Sequence, residues 1–507
     1  MKVKSALSFL FVCLLTVNEA LCCFAIVAGS KATLDGSVLL GHLEQNRGSI
    51  YVNFRIVPRV SNLPGSSFTA QYGASIPNAL QNHSYFWSEI YGATGSDAVF
   101  NEYGVACVSD ATHTKDQDNT QMKLSGGIID GGMGLEPRLE VAKKARSARE
   151  GVHIIGSLIE KFGYYKSGTT HVLADPHEAW IVTIIMGKRW IARRVPDDEV
   201  VVLANVNIIN EFDFADTANY LSSPGIVEYA VEHRWYIPKK DKKFNFKKAY
   251  DKPATDPVSV RIKCDARQWR GQCLVAGKTI KIPARGQLPF SVKPYKKLTV
   301  EDIRKFLSDH AEGTELDKNP GYKYGSPHDV MEYYDGMVCN DDIQELAVFQ
   351  LRANMPREIG CIYWRASSAG CTGVLLPWYL GISQVPDYYY IFDDTTISLT
   401  IDFHYNPPAG TEQFHKDKAF SIYNELENLV DQDYANQIRF VQDRWKQFEG
   451  RLFSQSKSVE DTAWDYYRRD PLRCREFLTG YCHRNSLEAL NTAKELIQKL
   501  KTKVYGF

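Results

Sequence analysis

Short apolar runs, each closed by a turn signal, dominate the first two hundred positions. Phe24 to Ala28 is apolar throughout and is bounded by Gly29, which predicts a buried strand. Asp35-Gly36 is a hairpin-turn dipeptide, and Ser37 to Gly41 reads as the returning strand. Tyr51 to Val57 alternates apolar and polar, the period of a half-buried strand. The period then changes. Leu135, Leu139, Ala142, Ala145 and Ala148, followed by Val152, Ile155, Leu158 and Ile159, fall at helical spacing, and Gly163 closes the second helix. Strand patterns return at 171–174 and 179–185, around a turn at Asp175-Pro176-His177, and again at 190–194 and 200–206. Strands, then helices, then strands again predict an α+β fold rather than alternating βαβ units.

Farther along, Thr299 is placed to cap a helix with Glu301 and Asp302 in its first turn and Ile303, Phe306 and Leu307 as its apolar stripe. Residues 253–300 are rich in Pro, Gly and Lys and read as a surface excursion. Residues 343–402 read as strands, and 416–503 as almost wholly helical. Seven lysines between 239 and 252 read as a solvated face. The aromatic group from Phe86 to Tyr91 reads first as core packing and second as a cleft wall.

The first twenty-two residues have another character. Lys2 and Lys4 precede the apolar run Ala6 to Leu15, and Ala20-Leu21-Cys22 supplies small residues at the exit. This is the layout of a secretory signal peptide, with an apolar run too short to cross a bilayer. The expected organisation is therefore a leader at 1–22, a catalytic unit at 23–415 and a helical C-terminal region at 416–507. The expected destination is the secretory pathway, either outside the cell or in a lysosome- or vacuole-like lumen. The 60 basic and 60 acidic residues cancel, so no global field favours nucleic acid or membrane as a partner after the leader is removed. Asn82-His83-Ser84 is a glycosylation sequon. Of eleven cysteines, Cys13 and Cys22 leave with the leader. In a secreted chain the pairs Cys264–Cys273, Cys361–Cys371 and Cys474–Cys482 are candidate disulfides. No C-x-x-C occurs after the leader, so neither a metal site nor a cofactor is expected.

Cleavage after Cys22 would make Cys23 the first residue. A thiol with a free α-amine on the same residue carries its own base, because an α-amine has a pKa of about 7.7–8.0. The residues from here onward resemble a known family. Cys23-x-x-Ile26-x-x-Gly29-x-Lys31-Ala32-Thr33-x-Asp35-Gly36-Ser37 is similar to the start of the dipeptidase A/secernin-like cysteine N-terminal-nucleophile (Ntn) hydrolases. Asn101 to Ala106, the helix carrying Arg138-Leu139, Ala174-Asp175-Pro176-His177-Glu178-Ala179-Trp180, and Arg194-Val195-Pro196-Asp197-Asp198 with Ala204-Asn205 match later segments of that family in order. The resemblance implies a four-layer αββα sandwich with insertions. It also implies a cysteine-type dipeptidase acting on small peptides through a thioacyl-enzyme on Cys23.

In that scheme Asn205 supplies an oxyanion donor, with Asn207 as second choice. Glu44 and Asp110 are candidates to hold an amino group, and Asn101 is a further candidate to contact substrate. The chain departs from the family where relatives carry an arginine and an aspartate that support the nucleophile: His42 and Gln45 stand there, and Glu44 is retained. His42 could still donate a hydrogen bond. An acylase of non-peptide amides and a catalytically silent secreted binding protein are the alternative readings.

Overall fold

The computed structural model describes residues 23–504 apart from 46–50, 71–72, 91–97, 119–130, 135, 165–167, 239–242, 253–259, 281–287, 318, 329–336 and 392–412. The leader and its cleavage point lie outside the described residues. In chain order the elements used below are β1 (Phe24–Ala28), β2 (Val38–Gln45), β3 (Val52–Val57), β4 (Tyr85–Ile90), β5 (Ala98–Asn101), β6 (Ala106–Ala111), α1 (Glu136–Lys144), α2 (Ala148–Phe162), β7 (Thr169–Ala174), β8 (Ala179–Ile185), β9 (Arg189–Arg194), β10 (Val200–Leu203), β11 (Tyr220–Ser222), α3 (Val260–Ala276), β12 (Ser291–Val292), α4 (Val300–Leu307), β13 (Ile343–Leu351), β14 (Cys361–Ser367), β15 (Leu376–Tyr379), α5 (Ala419–Asp431), α6 (Tyr434–Arg469) and α7 (Pro471–Val504).

Two antiparallel sheets organise the molecule. One runs β12-β10-β1-β2-β13-β14-β15, and the other β11-β9-β8-β7-β6-β5-β4-β3. Side chains alternate between the two faces of a strand, and the core shows it. Val172 and Ile181 join Phe54, Phe86, Phe100 and Val108 of the second sheet in one cluster with Ile26, Leu40, Val348 and Tyr363 of the first. Their neighbours Leu173 and Trp180 point the other way, into a second cluster with Leu139, Val141, Val152 and Ile155 of α1 and α2. Sheet residues are thus buried on both faces, which is why the strands read as near-continuous apolar runs rather than clean alternation. Phe86 and Phe54 stack at 5.7 Å, so this aromatic group is core.

The turn chemistry is as the sequence predicts. Gly36 has φ 78°, and Asp35 Oδ1 accepts from Ser37 N at 3.1 Å. Ser147 caps α2 by accepting from Glu150 N. Asp175 accepts from His177 N and Glu178 N at 2.7 and 2.9 Å, and its other oxygen takes Ala148 N at 2.6 Å, tying the β7–β8 turn to the start of α2. Thr299 and Asp302 form a reciprocal capping box on α4. The tail is three helices, with α5 against β14 and α7 against β15.

Three expectations are corrected. Residues 253–300 are not a surface excursion only, because α3 packs on β10. Its buried face is partly polar (Arg267, Gln268, Gln272), so it carries no simple apolar stripe for periodicity to find. Lys247 is buried, unlike a solvated lysine, while Lys239, Lys240 and Lys242 lie outside the described residues. The disulfides fail on geometry. Cys264 and Cys273 share α3, and Cys474 and Cys482 share α7. Nine and eight helical residues separate Cα atoms by about 13 and 12 Å, against a limit of roughly 7 Å for a bridge. The eight cysteines with described side chains are all free, Cys361 and Cys371 included.

Glycine is required where the loop after β1 meets the loop after β9. A Cβ on Gly29 would lie 2.3 Å from Pro196 O. Beside it Asp197 receives Lys31 Nζ at 3.1 Å and Arg194 Nη2 at 2.6 Å, and Arg194 Nε reaches Glu178 Oε2 at 2.8 Å. Gly29→Ala should therefore destabilise the fold by about 1–3 kcal/mol, read as a lower urea midpoint at unchanged slope. An unshifted midpoint would show that the two loops separate freely.

Candidate active site

β1 lies between β2 and β10 and is buried along its whole length. Cys23 immediately precedes it and is 3% exposed. Pairing with β2 sets Phe24 opposite Leu43 and Ala25 opposite His42, which brings the far end of β2 to the thiol. Cys23 Sγ donates to Glu44 Oε1 at 3.4 Å and to Gln45 O at 3.8 Å. His42 and Asp110 are fully buried nearby, with Nε2 and Oδ1 3.3 Å apart. The thiol, an imidazole nitrogen and a carboxylate oxygen all lie within 4.8 Å of one another. Four of the residues singled out from the sequence (Cys23, His42, Glu44 and Asp110) are thus one constellation, although Asp110 comes from the opposite sheet.

Neither His42 nor Asp110 makes an aligned hydrogen bond among the described residues. A buried carboxylate without hydrogen bonds is costly, so the pair presents ready acceptor capacity beside the thiol. Three such donors could also grip a divalent cation, but a thiolate so held would be lost as a nucleophile.

Asn205 follows β10 with φ 56°, a left-handed conformation that asparagine tolerates better than most residues. Its Nδ2 donates to Ala111 O at 2.8 Å, and its Oδ1 accepts from Arg267 Nη2 at 2.8 Å. An asparagine amide has two hydrogens, so one is in use and one remains to donate. Asn207 differs: its Nδ2 donates to both His113 O at 3.0 Å and Asp251 Oδ1 at 2.8 Å. That leaves it no hydrogen for an oxyanion, and the choice falls on Asn205.

Asn101 is not brought to the thiol. Its Nδ2 donates to Ala142 O and Ala145 O at 3.1 and 2.7 Å, and its Oδ1 accepts from Tyr103 N and Val105 N. It holds the β5–β6 turn against the end of α1, a structural role that uses its whole amide.

Arg267 was not singled out from the sequence. Its Nη1 reaches Cys23 O and Gln45 Oε1 at 3.4 Å each, while Nη2 holds Asn205. One guanidinium therefore ties together the backbone of Cys23, the end of β2 and Asn205. The helix that carries it can sit this close because Gly271, one turn on, faces Val202 and Phe24, where a Cβ would come within 2.9 Å of both side chains. Gln45 is held from its other side by donating Nε2 to Val338 O at 3.0 Å. No short motif in the sequence marks Arg267.

Burial pushes the Cys23 thiol well above its ordinary value, and the negative charges of Glu44 and Asp110 push it further in the same direction. In a chain that still carries residues ahead of Cys23 the thiol is therefore protonated and inert at neutral pH. Expected iodoacetamide labelling of such a chain is slow up to pH 9, the ordinary thiol value, and Glu44→Gln should move the rise to lower pH. Fast labelling of Cys23 near pH 7 with the leader attached would contradict this electrostatic reading.

The family model for peptidase family C69 matches residues 22–447. Curated relatives include a probable dipeptidase A of Streptococcus pyogenes serotype M1, 27% identical over 399 residues, covering 76% of this chain and 82% of that protein. A dipeptidase of Bifidobacterium longum is 26% identical over 412 residues, covering 76% and 75%. Dipeptidase A of Lactobacillus helveticus is 22% identical over 459 residues, covering 87% and 94%. Among solved structures, penicillin V acylase from Agrobacterium tumefaciens aligns over 71% of this chain and 86% of its own at 12% identity and a TM-score of 0.35. The match over more than four fifths of the sequence, beginning at the residue before the buried thiol, shows that the chain belongs to peptidase family C69.

Proposed function

We propose that this peptidase is a cysteine-type dipeptidase whose nucleophile is Cys23, freed as an N-terminal residue when the leader is removed on the secretory route. The carrying observation is the placement of the thiol at the tip of the buried β1, among Glu44, His42 and Asp110 and beside the Arg267–Asn205 pair. We read the two sheets and their covering helices as the αββα layers of an Ntn-hydrolase.

The chemistry follows from the groups present. The thiol is too weak an acid in this pocket to ionise alone, so a base is needed at the sulfur itself. The α-amine of Cys23 is within reach of its own thiol and takes the proton as sulfur attacks the substrate carbonyl. The remaining amide hydrogen of Asn205 is a donor for the oxyanion, oriented by Arg267. The ammonium then gives the proton to the leaving amine, and water hydrolyses the thioacyl-enzyme with the amine again as base. Asp110 is fully buried and lacks hydrogen-bond partners among the described residues. It is the best-placed group to pair the free amino end of a small peptide, which limits the enzyme to substrates that have one.

Five outcomes test the proposal. N-terminal sequencing of the mature protein should begin at Cys23, and Cys23→Ala should abolish dipeptide hydrolysis, a loss on the order of 10⁶-fold for a removed nucleophile. Because the amine acts unprotonated, kcat/KM should rise with pH through a value near about 8 and fall as the amine is protonated. Asp110→Asn should lower kcat/KM for free dipeptides by about 10–100-fold, the cost of a lost charged hydrogen bond. The same variant should leave thiol labelling no slower, since removing that charge eases ionisation. A mature chain starting elsewhere and still active would sink the mechanism.

A further inference from the structure

A second cluster of chemically capable side chains lies outside the thiol site. His310 follows α4, His328 comes from the segment beyond it, Cys339 precedes β13, and Cys371 sits in the turn between β14 and β15. All four are buried. His310 Nε2 and His328 Nε2 are 3.2 Å apart, Cys371 Sγ is 3.3 Å from His328 Nε2, and Cys339 Sγ is 3.9 Å from it. The four donor atoms all lie within 4.8 Å of one another.

The outer contacts decide what faces inward. His310 Nδ1 lies 3.2 Å from Glu312 Oε1, and His328 Nδ1 lies 2.9 Å from Asp431 Oδ1. A carboxylate at Nδ1 accepts a hydrogen bond from the hydrogen on that nitrogen, and in a neutral ring Nε2 is then a bare lone pair. Two such lone pairs aimed at each other across 3.2 Å repel unless a positive charge sits between them. The carboxylates are themselves held, Glu312 by Tyr322 OH at 2.8 Å and Asp431 by Ser326 Oγ at 2.7 Å. Carboxylate, histidine, then a convergent point is the outer arrangement that orients metal-ligating imidazoles.

We propose that His310, His328, Cys339 and Cys371 bind one structural zinc ion. Metal–nitrogen bonds of about 2.0–2.1 Å and metal–sulfur bonds of about 2.3 Å, at tetrahedral angles, require donors about 3.3–3.8 Å apart, and the separations of 3.2, 3.3 and 3.9 Å lie close to that range. Two thiolates and two imidazoles with no open position select zinc and a closed, non-catalytic centre. The ligands are spread over sixty-two positions of sequence, so no short Cys/His motif announces them. The centre would fasten two supports of the active site. Cys339 N donates to Asp309 O at 3.0 Å, Asp309 forms a bidentate pair with Arg270 of α3, and Val338, next to Cys339, receives Gln45. It would also anchor α5, which carries Asp431, to the sheets.

The test is elemental analysis of the full mature protein, purified without chelator, together with mass mapping of its thiols. We expect one zinc per chain, with Cys339 and Cys371 protected until a chelator and denaturant are applied, and then labelled without reductant. Cobalt(II) exchange should give the visible absorption of a tetrahedral thiolate site. Asp431→Asn keeps all four ligands and should weaken zinc binding about 10–100-fold in a chelator competition, whether or not Cys371→Ser folds. Metal-free protein that cannot be loaded with zinc under reducing conditions overturns the proposal. So does a Cys339–Cys371 disulfide in the native protein, or an Asp431→Asn variant with unchanged zinc affinity.

Discussion

A thiol sealed beside two carboxylates cannot ionise on its own, and that electrostatic constraint governs how this enzyme must be built. Burial and the charges of Glu44 and Asp110 hold Cys23 protonated. The nucleophile therefore needs a base at the sulfur itself, and on the proposed mechanism proteolysis supplies it as the α-amine of the same residue. The same carboxylates that suppress the thiolate are suited to hold an ammonium, whether that of Cys23 or of a substrate. On that mechanism, acidity that would disable an internal cysteine becomes useful once the chain begins at that residue.

The scaffold exists to keep that geometry. Strand β1 has no exposed residue and is paired on both sides, so the thiol at its tip cannot wander without breaking a ladder in the middle of the sheet. The opposite sheet delivers Asp110 across the shared apolar core. Helix α3 delivers Arg267 from the outer side, clasping Asn205 in its left-handed conformation. Gln45 is held between Arg267 and Val338, and α3 brings a guanidinium to the backbone of Cys23.

Much of this was legible in the residues. The apolar runs gave the strands, because sheets buried on both faces need continuous apolar surface. Asp35-Gly36, Asp175 and Thr299 marked their turns and cap because each side chain or backbone has a specific local bond to make. The motif around Cys23 marked the residue proposed as nucleophile, a thiol at the expected cleavage boundary. Local chemistry is written locally, and these features depend on neighbours a few positions away.

The rest was decided by contacts between distant segments. Arg267 is one polar residue on a helix with a mixed face, and only packing on β10 turns it toward Cys23. Asn101 sits in a family-like segment, yet folding spends its amide on α1. Two of the three cysteine pairs spaced like small loops lie along helices, too far apart to bridge. Conversely His310, His328, Cys339 and Cys371 share no motif and meet only because two loops and two strand ends converge under α5. Sequence determines which groups are available and which segments can be strand or helix. Tertiary structure alone decides which of those groups share a few cubic ångströms of low-dielectric space, and that sharing sets their chemistry.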